Sequence, residues 1–218
     1  MANESIETVC AGRTDAGVHA IAQVVHFDTS AERTERSWTL GANSSLPDDV
    51  NACWAKPVEP EFHARFSATS RSYQYLILNR PIRSALNRHR SWWTYQPLNA
   101  GDMQEAANYL LGEHDFSAFR AAGCQASTPV RTISDLSITR NEDWISIDVT
   151  ANAFLQHMVR NIAGLLVAIG QGYEDPAWAK EVLDSRDRTK GGIAAPAHGL
   201  TLIRADYPEH FDLPDYRL

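Results

Sequence analysis

The run "AFLQHMVRNIAGLLVAIG", residues 153–170, constrains the fold more than any other stretch. Phe154, Leu155, Met158, Val159, Ile162, Leu165, Leu166 and Ile169 fall on one helical face, about 140° wide at 100° per residue. Such a face has to be buried against a sheet. Asn152 is placed to cap the start of the helix and Gly170 to end it. The opposite face is the unusual one. It carries His157, Arg160, Gly164 and Val167, where a helix facing water would carry Lys and Glu. Arg160 is the only Asp, Glu, Lys or Arg in the run. The second face is therefore covered or lines a cleft. An arginine there needs an acceptor, because an unpaired buried charge costs several kcal/mol. Asp15 is one candidate. The plainer reading leaves Arg160 at the surface or pairs it with a structural acid such as Asp148.

The rest of the chain supplies a sheet for this helix. "SRSYQYLILN" (70–79) reads as a strand apolar enough to be buried on both faces. "TISDLSITRNEDWISIDVTA" (132–151) reads as two strands around an Asn141–Asp143 turn, and "GLTLIRADYP" (199–208) as a last strand. "IETVCAG" (6–12) predicts a short strand and "AIAQVVHFDT" (20–29) a longer one. "NACWAKPVEP" (51–60) predicts a strand broken by Pro57 and Pro60. Helices are expected within 99–116, stopped by Gly112, over 177–184, and briefly at the start of 37–50. Hairpin-joined strands with helices between others point to an α+β fold with a mixed or antiparallel sheet. The stretch near 60–70 is the expected divider, giving an N-terminal subdomain over 1–67 and a C-terminal one over 68–218.

Composition narrows the setting. No run of 18 apolar residues is present, and the N-terminus lacks the basic start and apolar core of a secretory signal. Cys10, Cys53 and Cys124 are odd in number, far apart and without a CxxC pair, which argues against a zinc knuckle or a disulfide scaffold and for a reducing cytoplasm. The formal charge of −7 disfavours a protein that coats nucleic acid non-specifically. The basic residues are mostly arginine, the better phosphate fork, so a local basic cleft stays open. No GxSxG, no GxxxxGK[ST] and no HExxH is present. Structural or solvent-facing roles are the default for His63, His89, His114 and His198.

The second informative stretch is "AGRTDAGVHA", residues 11–20. Arg13, Thr14, Asp15 and His19 stand together with only small residues between them. Asp-Ala-Gly is a good turn, and a turn-capping aspartate is the ordinary use of such a sequence. The residues alone lead to an α+β protein with an Asp–Arg site as one of two readings. A hydrolase using Asp15 has only the lone aspartate behind it.

"GRTDAGVHA…QVVHFDT" (12–29) resembles the catalytic motif of the tRNA pseudouridine synthase A family. Five further blocks are similar to the family's in the same order: "FHARFSATSRSYQYLILN" (62–79), "LLGEHDFSAFRA" (110–121), "TPVRTI" (128–133), "NAFLQHMVRNIAG" (152–164) and "GLTLIRADYP" (199–208). The resemblance implies a pseudouridine synthase fold, with two subdomains around an RNA-binding cleft. It implies that Asp15 is the catalytic aspartate, that Tyr73 meets the target uracil, that Arg160 pairs with Asp15, and that Leu200 makes an apolar contact to the base. Arg13 would hold a neighbouring phosphate or fill the vacated base position. Arg65, Arg71, Arg120 and Arg131 are candidates for contacts to the RNA backbone, with surface salt bridges as the plainer alternative.

The implied reaction is isomerisation of uridine to pseudouridine at positions 38, 39 and 40 in the anticodon stem-loop of tRNA. The glycosidic bond moves from N1 to C5 of the uracil, so neither cofactor nor metal is implied. An ionised carboxylate attacks the sugar C1′ or takes a proton from the sugar in a glycal route. An adjacent arginine favours that ionised form in a site dried by RNA. Tyr73 would stack on the freed base and move a proton at C5. The implied partners are tRNA and a second copy of the chain, since the family is homodimeric. The family's pattern also begins with a further strand and helix, carrying an Asp-Gly step and a Gly-Trp-Gln run that do not stand in this sequence. That departure carries an alternative: a truncated, catalytically inactive remnant that binds tRNA or dimerises.

Overall fold

The computed structural model describes residue 2 and residues 4–214. In chain order the elements are β1 (Val9–Cys10), β2 (His19–Ala20), β3 (Val25–His26), α1 (Glu35–Asn43), β4 (Ser70–Asn79), β5 (Trp92–Thr94), α2 (Ala100–Asn108), β6 (Gly112–Asp115), β7 (Val130–Asn141), β8 (Trp144–Ala151), α3 (Met158–Gly170), α4 (Trp178–Ser185) and β9 (Leu200–Asp206). They form two compact units. The smaller holds the chain up to Arg13, then Ala22–Thr69, then the chain from Ala205 on; the larger holds Thr14–Ile21 and Ser70–Arg204.

In the smaller unit β1 pairs antiparallel with β3, with Val9 opposite His26 and Cys10 opposite Val25. Its core is small: Phe62, Ala64 and Phe211, with Val24 and Tyr207 packed against them. Phe62 meets Phe211 edge-on at 5.1 Å, and the Tyr207 hydroxyl donates to Ala64 O at 2.6 Å. α1 is capped by Thr34, whose side chain accepts from the Ser37 N–H. No residue of α1 is buried; its Trp38 ring meets Phe27 at 5.3 Å.

The larger unit is built on a mixed sheet of seven strands in the order β2-β9-β4-β8-β7-β6, with β5 parallel to the end of β4. Tyr73, Tyr75 and Ile77 of β4 stand opposite Val149, Ile147 and Ile145 of β8, and all six are buried. That alternation makes one apolar sheet face. Met103, Ala106 and Ala107 of α2, Leu110 just beyond it, and Ile162, Leu165, Leu166 and Ile169 of α3 join the same buried cluster. The arrangement is α+β, as the pattern of elements predicts.

The other face of β4 is polar at Ser72 and Gln74 and apolar at Leu76 and Leu78, with Ser72 and Leu78 buried. Ser72 and Thr150 share a hydrogen bond of 2.8 Å, and Gln74 donates to Asp148 at 2.9 Å. Asp148 is thereby engaged by its own sheet and does not pair with Arg160.

Four elements differ from the sequence reading. The strand expected over 20–29 is two short strands. β2 runs parallel to β9 in the large sheet, while β3 pairs with β1 in the small one, and the chain passes from one unit to the other between Ile21 and Ala22. Residues 51–59 form no strand; Pro57 and Pro60 lack the N–H a ladder needs. α2 ends at Asn108, and Gly112, at φ +93°, opens β6 instead of closing the helix. α3 begins at Met158, and Asn152 is not its cap: the Asn152 side chain accepts from Ala153 and Thr132 instead. The strands β5 and β6 have no counterpart in the sequence pattern; at three and four residues they are too short for periodicity to show. Among the described residues no helix is long and apolar enough to cross a membrane.

Candidate active site

Asp15 sits at the head of a tight turn. The Val18 N–H donates to Asp15 O at 3.0 Å, and Gly17 takes φ +83°. A positive φ at the third residue is what a type II turn demands, and glycine adopts it without cost. β2 follows at once and is fastened to β9, with His19 opposite Thr201 and Ala20 opposite Leu202. The Ile21 N–H adds a bond to Leu202 O at 2.9 Å. The "TDAGVHA" sequence thus delivers a carboxylate from a sharp turn at the edge of the large sheet.

Arg160 lies in the first turn of α3 and reaches two acceptors. Its Nη1 donates to Asp15 Oδ2 at 3.1 Å and its Nε to Ala195 O at 2.8 Å. The Ala195 N–H returns a bond to Arg160 O at 2.9 Å. Segment 193–199 is held against α3 by this exchange. It is held against β4 by the Tyr75 hydroxyl, which donates to Pro196 O at 2.8 Å. Burial pushes the Tyr75 phenol far above its ordinary pKa, so it stays a neutral donor. Gly164 and Gly199 permit these approaches. A Cβ on Gly164 would lie 1.9 Å from Ile193 O, and one on Gly199 would lie 2.6 Å from the Tyr75 ring. The sparse charge on the second face of α3 has its cause here: a backbone segment, an arginine and an aspartate cover it.

A second side chain reaches Asp15. His157 Nε2 lies 3.2 Å from the same Oδ2 that Arg160 holds. Oδ1 accepts no hydrogen bond among the described residues. His157 directly precedes α3 at φ +63°, ψ 2°, and its side chain makes no capping bond. A left-handed backbone costs a non-glycine residue about 1–2 kcal/mol. The sequence places His157 on the second face of the run but gives it no role. The signal is its proximity to Arg160, three residues on.

Tyr73 and Leu200 both belong to the buried cluster of the larger unit. The Tyr73 ring meets Phe154 edge-on at 5.1 Å. Phe154 therefore contributes to the core from the segment ahead of α3, not from the helix itself. Arg13 is exposed and falls in the smaller unit. Arg65 is exposed, with its guanidinium 5.7 Å from the centre of the Phe66 ring. The other arginines considered for RNA contacts donate to backbone carbonyls. Arg71 is buried and donates to Asn152 O, Arg120 to Cys124 O and Ala126 O, and Arg131 to Thr128 O and Val130 O.

A more open basic group, which no sequence motif singles out, is the loop joining β4 to β5. Arg83, Arg88 and Arg90 are exposed there and make no ion pair among the described residues. Ile82 and Leu86 are exposed beside them. His89 O meets His19 Nε2 at 2.6 Å, so this loop touches the strand that follows the Asp15 turn.

An aspartate presented from a strand-edge turn, gripped by an arginine from a nearly uncharged helix, is an arrangement to compare with known proteins. The sequence profile of the family described as tRNA pseudouridine synthase matches residues 1–67 and 106–208. A tRNA pseudouridine synthase A of Nitrosococcus oceani is 56% identical over 214 residues, 98% of this chain and 83% of the relative. The protein of that name from Coxiella burnetii is 53% identical over 98% of this chain and 82% of its own length. The one from Colwellia psychrerythraea is 50% identical over the whole of this chain and 84% of its own. With the profile matching on both sides of the Asp15 turn and through α3, this chain belongs to the tRNA pseudouridine synthase family.

Proposed function

We propose that this chain is an isomerase that converts uridine to pseudouridine in the anticodon stem-loop of tRNA, at positions 38, 39 and 40. The observation that carries the reading is the Asp15–Arg160 pair at 3.1 Å, within a chain half identical or more to synthases of that name. Asp15 is the catalytic carboxylate. It attacks C1′ or removes a sugar proton, and either route breaks the N1–C1′ bond. The detached uracil anion turns, C5 bonds to C1′ as the Asp15–C1′ bond breaks or the sugar proton returns, and N1 takes up a proton as the C5 proton leaves to water. Arg160 holds the carboxylate in place and offsets its charge while RNA excludes water. Tyr73 receives the base and moves the proton at C5; Leu200 packs against the ring. Arg13 contacts the phosphate beside the target nucleotide, which must leave its stack at a cost of a few kcal/mol.

The exposed arginines of the β4–β5 loop supply the RNA backbone contacts that a chain of net charge −7 otherwise lacks. The reading includes a homodimer, in which a second copy adds basic surface for one tRNA, and a cytoplasmic location suited to three free cysteines. Sedimentation at micromolar concentration, with and without tRNA, tests the dimer. The inactive-remnant alternative has no observation in its favour over the enzyme.

The test is tritium release from C5-labelled uridine in tRNA transcripts. The unaltered chain should release tritium, and Asp15→Ala should release none while keeping most of its affinity for tRNA. A folded, tRNA-binding chain without release would leave only a binding protein.

A further inference from the structure

His157 is held in a backbone conformation that its side chain does nothing locally to favour. At φ +63° the left-handed region suits glycine or asparagine, and the imidazole makes no bond to the helix terminus beside it. The left-handed turn instead points its Cα–Cβ bond away from the direction shared by the side chains of α3. The ring ends 3.2 Å from Asp15 Oδ2. An outlier of this kind persists where the surrounding structure makes use of it.

The use lies in which oxygen is held. Arg160 Nη1 and His157 Nε2 both meet Oδ2, at 3.1 and 3.2 Å, and Oδ1 accepts no bond from any described residue. One donor would leave the carboxylate free to rock about its Cβ–Cγ bond. A hydrogen bond from Arg160 and the imidazole packed at 3.2 Å, both on one oxygen, set its plane and keep its two oxygens distinct. A hydrogen bond across the 3.2 Å contact requires the hydrogen on Nε2, whether the ring is neutral or charged.

We propose that His157 is a positioning residue for Asp15: together with Arg160 it holds Oδ2, so that Oδ1 is the oxygen presented to the target nucleotide. The inference rests on the synthase reading of this site. It applies to both routes, since attack on C1′ and removal of a sugar proton each use a single carboxylate oxygen.

The experiment compares the unaltered chain with His157→Gly and His157→Gln in the tritium-release assay. It measures kcat and KM separately, with Tm as the check on folding. Glycine suits the left-handed backbone and removes the ring. Its Tm should match or exceed that of the unaltered chain, its KM should stay within about twofold, and its kcat should fall roughly tenfold to a hundredfold. Glutamine carries its N–H donor at the reach of the imidazole Nε2, so it should recover most of that loss. A glycine variant with undiminished kcat overturns the proposal and leaves the synthase reading standing. So does a loss confined to KM, a loss matched by a lower Tm, or a glutamine variant no better than glycine. Absence of release from the unaltered chain brings down the synthase reading, and this inference with it.

Discussion

Arg160 and Asp15, 145 residues apart in the chain, meet through Nη1 and Oδ2 at 3.1 Å, while the same guanidinium donates through Nε to Ala195 O. One side chain thus joins the turn that carries the carboxylate to the segment that leads into β9. The planar fork of arginine suits two acceptors in fixed directions, whereas the ammonium of lysine is a point charge.

Arg160→Lys should therefore keep the charge and lose the geometry. Turnover should fall about a hundredfold to a thousandfold, the usual cost of removing one well-placed donor. Arg160→Leu should fall as far. It should also lose about 1–3 kcal/mol of stability, because Ala195 O and the Asp15 carboxylate lose their donor. Thermal unfolding and tritium release measured on both variants separate the two effects.

Tyr73→Phe keeps the edge-on ring contact with Phe154 at 5.1 Å and removes only the hydroxyl. If the hydroxyl moves the C5 proton, turnover should fall at least about a hundredfold. Tyr73→Ala should in addition cost about 3–5 kcal/mol, the range for emptying a buried aromatic site. Tm and single-turnover rates on the pair report whether the ring or the hydroxyl matters.

Gly164→Ala tests how tightly segment 193–199 lies on α3. The added carbon would stand 1.9 Å from Ile193 O and 3.3 Å from Ala195 N, both backbone atoms. Relief requires the segment to move off the helix, at about 1–3 kcal/mol. Tm should drop by about 2–4 °C for each kcal/mol. Turnover should fall as well, because the shift draws Ala195 away from the Arg160 side chain that also holds Asp15.

Arg83→Gln, Arg88→Gln and Arg90→Gln probe the β4–β5 loop. Each should weaken tRNA binding and lower the slope of log affinity against log salt by about one. The effect should be similar for different tRNA sequences, as expected of phosphate contacts. Filter binding at several salt concentrations reads both quantities. An unchanged slope would place the tRNA backbone elsewhere on the protein.

Long-period patterns are legible in the residues alone. β4, the β7–β8 hairpin, α4 and β9 stand within a residue or two of the expected positions, because each is long enough for alternation or helical spacing to show. The near-absence of charge on the second face of α3 marks Arg160 as a residue needing an acceptor, though spacing alone leaves the choice between Asp15 and Asp148 open. The divided strand over 20–29, and the one- and two-turn details around 108–115 and 152–158, are not legible. They are set by which sheet receives each residue and by backbone turns at Gly112 and His157, which depend on partners distant in sequence.

What the sequence determined by itself is the residue inventory and its periodicity. It includes a carboxylate among small residues, an apolar helix with one arginine, and motif blocks in an order that identifies the family. What the tertiary structure decided is pairing. It seated Asp148 against Gln74 and left Arg160 to Asp15, and it brought His157 to the same oxygen. Hydrogen bonds and ion pairs act over about 3 Å, and a linear pattern carries no distance between residues 15 and 160 until the sheet and α3 have packed.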